Sequence, residues 1–216
     1  MNRRIHQRGL SLIELMVGAA IALFVAAAGG GLLAGHLREN RALLLEARLT
    51  QDLRTTADLI NRDLRRAGYW GNAGAGVNPY AELVPGIAAS DSVSLHYSMD
   101  ATENDVVDRN EQFGFRLRGG AVELQLGAGN WQALTDANTL TVTAFSVIPE
   151  VQDVSLASFC PTACAADSNS TCPPHRKVRN LTVSITAALV SDVRVVRAVR
   201  SNVRVRSDAI VGSCAA

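Results

Sequence analysis

The sequence has no excess of charge of either sign, no catalytic constellation and, over one long stretch, no charge at all. Its 216 residues carry 21 Lys and Arg against 20 Asp and Glu, so the chain as a whole has no bulk drive toward nucleic acid or acidic surfaces. The four histidines are scattered, and neither a G-x-S-x-G elbow nor a phosphate-binding glycine loop occurs. No enzymatic activity, cofactor or metal site is therefore expected. Length sets a further bound: once a long apolar helix is set aside, about 150 residues remain, enough for one globular head with its own core.

What is present begins at the N-terminus. Arg3, Arg4 and Arg8 stand in the first nine residues with no acid among them, and removing that stretch leaves 18 basic against 20 acidic residues. Residues 15–35 then run for 21 positions without a charge. At ~1.5 Å per residue they cover roughly 31 Å as a helix, close to the hydrocarbon thickness of a bilayer. Arginines before such a span predict a cytoplasmic N-terminus and place everything after His36 on the far side of the membrane.

A basic start followed by an apolar run also describes a secretory signal peptide, for which Ala26, Ala27 and Ala28 offer a cleavage site. Glu14 argues against that reading. It lies one turn into the apolar run, where a carboxylate costs up to about 2.5–3.5 kcal/mol on insertion scales, so its presence calls for a use.

The run Gly9-Leu10-Ser11-Leu12-Ile13-Glu14-Leu15-Met16 resembles the class III signal of type IV prepilins, with its basic leader, glycine, hydrophobic residue and glutamate inside a long apolar helix. The resemblance implies cleavage by a prepilin peptidase between Gly9 and Leu10, and N-methylation of Leu10, a position where most of the family carries Phe. It implies for Glu14 an assembly role, in which the carboxylate meets the free amine of a neighbouring subunit. Because a lone buried charge is expensive, such a pair sets register whether or not it adds net stability. Gly29, Gly30, Gly31 and Gly35 are candidate helix-packing residues, Gly31 and Gly35 forming a G-x-x-x-G spacing. Glycine weakens a helix by roughly 1 kcal/mol per residue relative to Ala, so the patch is expected to be a soft point; in the family this chain resembles, major pilins often carry a helix-breaking Pro in this region.

Beyond His36, Leu45, Leu49, Leu53, Ala57, Ile60, Leu64 and Ala67 draw one apolar stripe at helical spacing. Asp58 and Arg62 are placed as an i,i+4 pair, and Gly68 as the C-terminal stop. One helix over residues 10–67 would measure roughly 87 Å. The segment Asp63-Leu64-Arg65-Arg66-Ala67-Gly68-Tyr69-Trp70-Gly71 is similar to that of PilW-type minor pilins. The expected organisation is a leader at 1–9, a transmembrane and filament-core helix at 10–36, an amphipathic helix at 37–68 and a β-rich head at 69–216. The fold class is α+β, a pilin-like helix packed on an antiparallel sheet.

Within the head, alternation predicts strands at 92–98, 113–118, 121–126, 140–148, 181–190 and 193–206, with Gly119-Gly120 as a hairpin turn. In the last of these the parity of Val193 and Val195 inverts at Val196 and Arg197, which calls for a bulge or break. Arg194, Arg200, Arg204 and Arg206 would face one way, as a solvated or salt-bridged face in preference to a row for DNA phosphates. Cys160, Cys164 and Cys172 with His175 have a spacing open to zinc. The membrane topology and the even count with Cys214 favour two disulfides instead. Three pairings are possible, and one that joins the loop 158–174 to Cys214 is expected. Asp100, Glu103, Asp105, Asp108 and Glu111 are read as a solvated loop in preference to a Ca²⁺ site.

Three functions follow in order. The first is a minor pilin of a type IV pilus, acting in assembly initiation or at the tip in adhesion, twitching motility or DNA uptake. The second is a minor pseudopilin of type II secretion, and the third a soluble periplasmic binding protein behind a cleaved signal. The first implies as partners other pilins and minor pilins, prepilin peptidase, an inner-membrane assembly platform and the membrane itself before assembly, with DNA left open. It also implies a single-pass inner-membrane protein with a periplasmic head that later joins an extracellular filament.

Overall fold

The computed structural model describes residues 11–73, 76–85, 89–164 and 172–215. The helix α1 runs over Leu12–Arg66 and is followed, among the described residues, by nine strands: β1 (Leu83–Val84), β2 (Ser92–His96), β3 (Gln112–Arg118), β4 (Ala121–Leu126), β5 (Trp131–Ala133), β6 (Leu140–Ser155), β7 (His175–Leu189), β8 (Val196–Arg204) and β9 (Ala209–Val211). Two compact units divide within α1, between Leu45 and Glu46.

Among its described residues the first unit is helix from Leu12 onward. Its described side chains are exposed, and an 18-residue window in it reaches a mean hydropathy of 2.2 with none of its residues buried. In water such a surface is unfavourable at about 25 cal/mol per Å², and a contiguous apolar patch of this kind marks a membrane or protein contact.

The second unit starts with the amphipathic part of α1. Leu49, Leu53, Ala57, Ile60 and Leu64 are buried, as the helical stripe requires. The stripe opens at Leu49 and not at Leu45, which is still 37% exposed. Arg62 pairs with the adjacent Asp63 at 3.3 Å, in place of the expected partner Asp58; Asp63 is buried, so its carboxylate needs the cation more than the exposed Asp58 does. Gly68, at φ +74°, ends the helix in the left-handed conformation that glycine tolerates. Its N–H donates to the His96 carbonyl at 2.8 Å, and the Ser98 N–H donates to the Tyr69 carbonyl at 2.9 Å, which stitches the helix exit to the end of β2.

The head contains two antiparallel sheets where one was expected. The first has the order β1-β2-β3-β4-β5 and the second β6-β7-β8, with β9 continuing along β7. The β3–β4 hairpin closes at Arg118 and Ala121. Its turn residues Gly119 and Gly120 have φ of 59° and 77°, the paired positive angles of a type I′ turn. The sheets stay separate because β6 gives its full length to β7. Among the described residues its other edge is hydrogen-bonded toward the first sheet through the Ser90–Val147 bridge and a bond from the Val142 N–H to the Gly120 carbonyl at 2.7 Å.

The parity inversion near Val196 is a break. Asp192 to Val195 form a turn, in which the Arg194 N–H donates to Asp192 Oδ1 at 3.1 Å and the Val195 N–H to the Asp192 carbonyl at 3.0 Å, and β8 starts after it. One core joins the parts: the stripe of α1 packs with Val93, Leu95, Phe113 and Phe115 of the first sheet and with Phe145, Val183, Ile185 and Val203 of the second.

Candidate assembly helix and head

Gly9 and Leu10 lie outside the described residues. The next two polar residues are placed together at the start of α1. The Ser11 N–H donates to Glu14 Oε2 at 3.0 Å, and the Ile13 N–H donates to Ser11 Oγ at 3.3 Å. Ser11 is thus an N-cap to the second helical residue and Glu14 returns the reciprocal half of a capping box, two helix-terminal donors satisfied by side chains three residues apart. The Ser-x-x-Glu pattern is the sequence signal for this arrangement, beside the membrane cost of Glu14. A carboxylate offers about four acceptor sites, so Glu14 retains capacity for a cation while it caps its own helix.

Gly29, Gly30, Gly31 and Gly35 are helical without interruption. A Cβ at any of them would meet nothing within 4 Å, so whatever these glycines admit at close range is not another described part of this chain. Phe24, 78% exposed, and Leu23 stand on the same bare helix. Arg38 and Glu39 are the first charged residues after the uncharged run, and His36 Nδ1 lies 4.0 Å from Glu39.

In the head, the Gly68-Tyr69-Trp70-Gly71 segment organises the acidic stretch, which is a built loop and not the solvated one expected. Trp70 Nε1 donates to Asp105 Oδ1 at 2.6 Å and the Gly71 N–H to Glu103 Oε2 at 3.0 Å. The Tyr80 hydroxyl lies 2.9 Å from Glu103 Oε1 and 3.0 Å from the Val106 carbonyl. Glu111 is fully buried and takes the Met99 and Asp108 N–H groups at 2.7 and 2.9 Å. These carboxylates accept backbone donors that a loop of this length would otherwise leave unpaired.

Their titration follows the contacts. Burial and the neighbouring Glu103 push the Tyr80 hydroxyl well above its ordinary value. Burial also acts to raise Glu103, but hydrogen bonds from Ser98, Gly71, Tyr80 and Asp105 outweigh it and hold the carboxyl below 4.5. Asp100, desolvated and close to Glu111, Asp108 and Glu103, is raised. Among the described residues no group of three or more His, Cys, Asp or Glu side chains is placed to hold a metal.

The cysteines form two disulfides, Cys160–Cys214 and Cys164–Cys172. The first joins the 158–174 loop to the C-terminal segment just past β9. His175, the fourth member of the zinc-like spacing, pairs through Nδ1 with Asp153 at 2.6 Å, and Lys177 shares that carboxylate.

The arginine row divides. Arg194 belongs to the turn, where it pairs with Asp192 at 2.9 Å. Arg200, Arg204 and Arg206 are exposed at positions of one parity, and Arg204 meets Asp208 at 2.9 Å. Two further arginines point inward: Arg197, where the strand parity inverts, and Arg179, which the sequence pattern had not singled out. Arg197 reaches Glu46 on α1, its Nε at 3.1 Å from the carboxylate. Arg179 donates to the carbonyls of Ala81 and Ser207 at 2.8 and 3.1 Å, tying the segment before β1 to the segment before β9. Each shares strand parity with buried residues, Arg197 with Val203 and Arg179 with Leu181 and Val183, so the signal was present in the alternation.

Comparison with known proteins adds two matches. Residues 42–205 match the family described as Prepilin peptidase-dependent protein B, and residues 4–30 match the Prokaryotic N-terminal methylation motif. No curated protein and no solved structure matches the chain.

Proposed function

Because this chain belongs to the Prepilin peptidase-dependent protein B family and carries a prepilin-type N-terminal motif, we propose that it is a minor pilin of a type IV pilus. The coarser assignment, a pilin or pseudopilin, follows from the two matches together. The apolar helix and the prepilin signal fit a single-pass inner-membrane protein, and domains of this class are structural and not enzymatic. The narrower one, a low-abundance subunit of the PilW type that starts assembly or sits at the tip, rests on the Gly68-Tyr69-Trp70-Gly71 segment.

The observation that carries the proposal is the bare apolar helix headed by Glu14. A helix whose glycines open onto free space suits close packing with other helices, first with lipid around it and then with other subunits. In this reading residues 1–9 are the leader that prepilin peptidase removes at Gly9, 10–36 the membrane and filament-core segment, 37–68 the amphipathic helix and 69–216 the head. Leu10 supplies the new amine. Glu14, while it caps its own helix, meets the amine of a neighbouring subunit, and Gly29, Gly30, Gly31 and Gly35 form the packing patch. The assembly platform and other pilins are the partners, and the head faces the periplasm until the filament carries it outward.

Deletion of the chain from its host tests this. Loss of surface pili and twitching with protein secretion intact is the expected result, restored by the wild-type chain and not by a Glu14→Ala variant that is still cleaved. Intact piliation with failed secretion would instead assign the chain to a secretion pseudopilus. Equal incorporation of Glu14→Ala and wild type into sheared filaments would remove the register role.

A further inference from the structure

Among the described residues only half of the arginine row is answered by acids: Arg194 and Arg204 are paired, while Arg200 and Arg206 are not. Arg65, at the last turn of α1, converges with Asn202, Val203, Arg204 and Arg206 around an open groove of about 470 Å³. Arg65, Arg204 and Arg206 are all exposed. Among the described residues neither Arg65, Arg200 nor Arg206 makes an ion pair. No acid is among the residues that line the groove, and Asp208, which meets Arg204 at 2.9 Å, is shared with Arg176 at 3.1 Å, so one carboxylate stands against two guanidinium groups. The negative end of the helix dipole favours a cation at Arg65, but it gives no reason for the arginines of the strand.

Their spacing does give one. Arg200, Asn202, Arg204 and Arg206 alternate along an extended segment, which continues past β8 because the Val205 N–H donates to the Arg179 carbonyl at 3.0 Å. At ~3.3 Å per residue, polar side chains recur on this face about every 6.6 Å. A regular line of donors with surplus positive charge suits a linear polyanion better than a single carboxylate. Guanidinium groups hydrogen-bond phosphate oxygens in pairs.

We propose that this groove and the adjoining face of β8 bind the phosphodiester backbone of a nucleic-acid strand, with Arg65, Arg200, Arg204 and Arg206 as the phosphate contacts. No aromatic ring is among the residues that line the groove, so binding is through the backbone and independent of base sequence. The inference stands on the head alone and holds whether the filament is a pilus or a secretion pseudopilus.

The test uses the full-length chain in detergent and a fluorescent 20-nucleotide single strand, with binding followed by anisotropy over a salt series. Single strands lose affinity with a log–log salt slope of about −0.7 per phosphate neutralised, so four contacts give a slope of about −2.8. The Arg65→Gln/Arg206→Gln double variant breaks no ion pair seen in the structure, and it should bring the slope to about −1.4. Lysine at both positions should restore most of the lost slope, and Arg118→Gln, at the exposed end of β3, should leave it unchanged. Absence of binding by the wild type at low salt would overturn the proposal. So would an equal loss with Arg118→Gln, or an affinity lost on substitution to Lys as fully as to Gln. Complete competition by phosphatidylglycerol vesicles at equal phosphate would also overturn it, because the groove would then be reading a membrane surface.

Discussion

Removing the two disulfides separately should have unequal and spatially distinct effects. Cys160 and Cys214 are 54 positions apart in sequence, Cys164 and Cys172 only 8. In the chain-entropy account, a cross-link stabilises by restricting the unfolded chain, by about 4.2 kcal/mol for the long loop and about 2.5 kcal/mol for the short one. The difference, about 1.7 kcal/mol, corresponds to about 3–7 °C in melting temperature for a domain of this size. There is also a local consequence. β9 is three residues long and pairs only with His175 to Lys177 of β7, so the Cys160–Cys214 bond closes the segment beyond it against fraying. Cys160→Ser/Cys214→Ser should melt lower than Cys164→Ser/Cys172→Ser in calorimetry of the full chain in detergent. In hydrogen exchange, the Ala209 and Ile210 amides should open early in the first variant and stay near wild type in the second. Equal melting temperatures, or faster exchange in β9 when Cys164–Cys172 is removed, would refute the reasoning.

Other expectations follow from burial, backbone and charge. Leu53→Ala removes a fully buried side chain from the stripe of α1 and should cost about 2–5 kcal/mol in urea melts. Leu44→Ala, at a position 65% exposed on the same helix, should leave the melt within about 0.5 kcal/mol. Gly68→Ala must hold φ at +74° with its new Cβ 3.1 Å from that of Ser207, and about 1–2 kcal/mol of destabilisation is expected from the left-handed strain alone. For Glu103 the folded carboxyl titrates below its ordinary value. The stability it confers is complete above 4.5 and is lost as the pH falls through the depressed folded value. Glu103→Gln should therefore flatten the acid limb of a stability–pH curve. Asp100 has the opposite sign: its carboxyl is raised on folding, so ionising it opposes the fold, and Asp100→Asn should raise the melting temperature at neutral pH.

Much of this architecture is legible without coordinates, for reasons that differ by element. The stripe from Leu49 to Leu64 repeats for four turns and ends in a glycine, so periodicity and stop signal agree. The Gly119-Gly120 hairpin declares itself because few dipeptides accept two positive φ angles in succession. Sheet membership is less legible: β6 and β5 are both ordinary strands, and nothing local in residues 140–155 says that they pair with residues 175–189 and leave the first sheet. The acidic stretch misled because composition alone reads as solvated. Its carboxylates are committed to Gly71, Met99, Trp70 and Tyr80, partners 12 to 35 positions away. The disulfide pairing was open among three possibilities, since it depends on where β9 places Cys214 beside the 158–174 loop.

Everything proposed for α1 depends on where the mature chain begins. Intact-mass and terminal-peptide spectrometry of the chain purified from membranes of its native host reads that directly. The account predicts a first residue of Leu10, with or without a methyl group on its amine, and accumulation of the uncut form when Gly9 is replaced by Ala. A mature chain that begins near Gly29 would contradict it, because the apolar helix would then have been discarded as a signal peptide and no filament-core segment would remain.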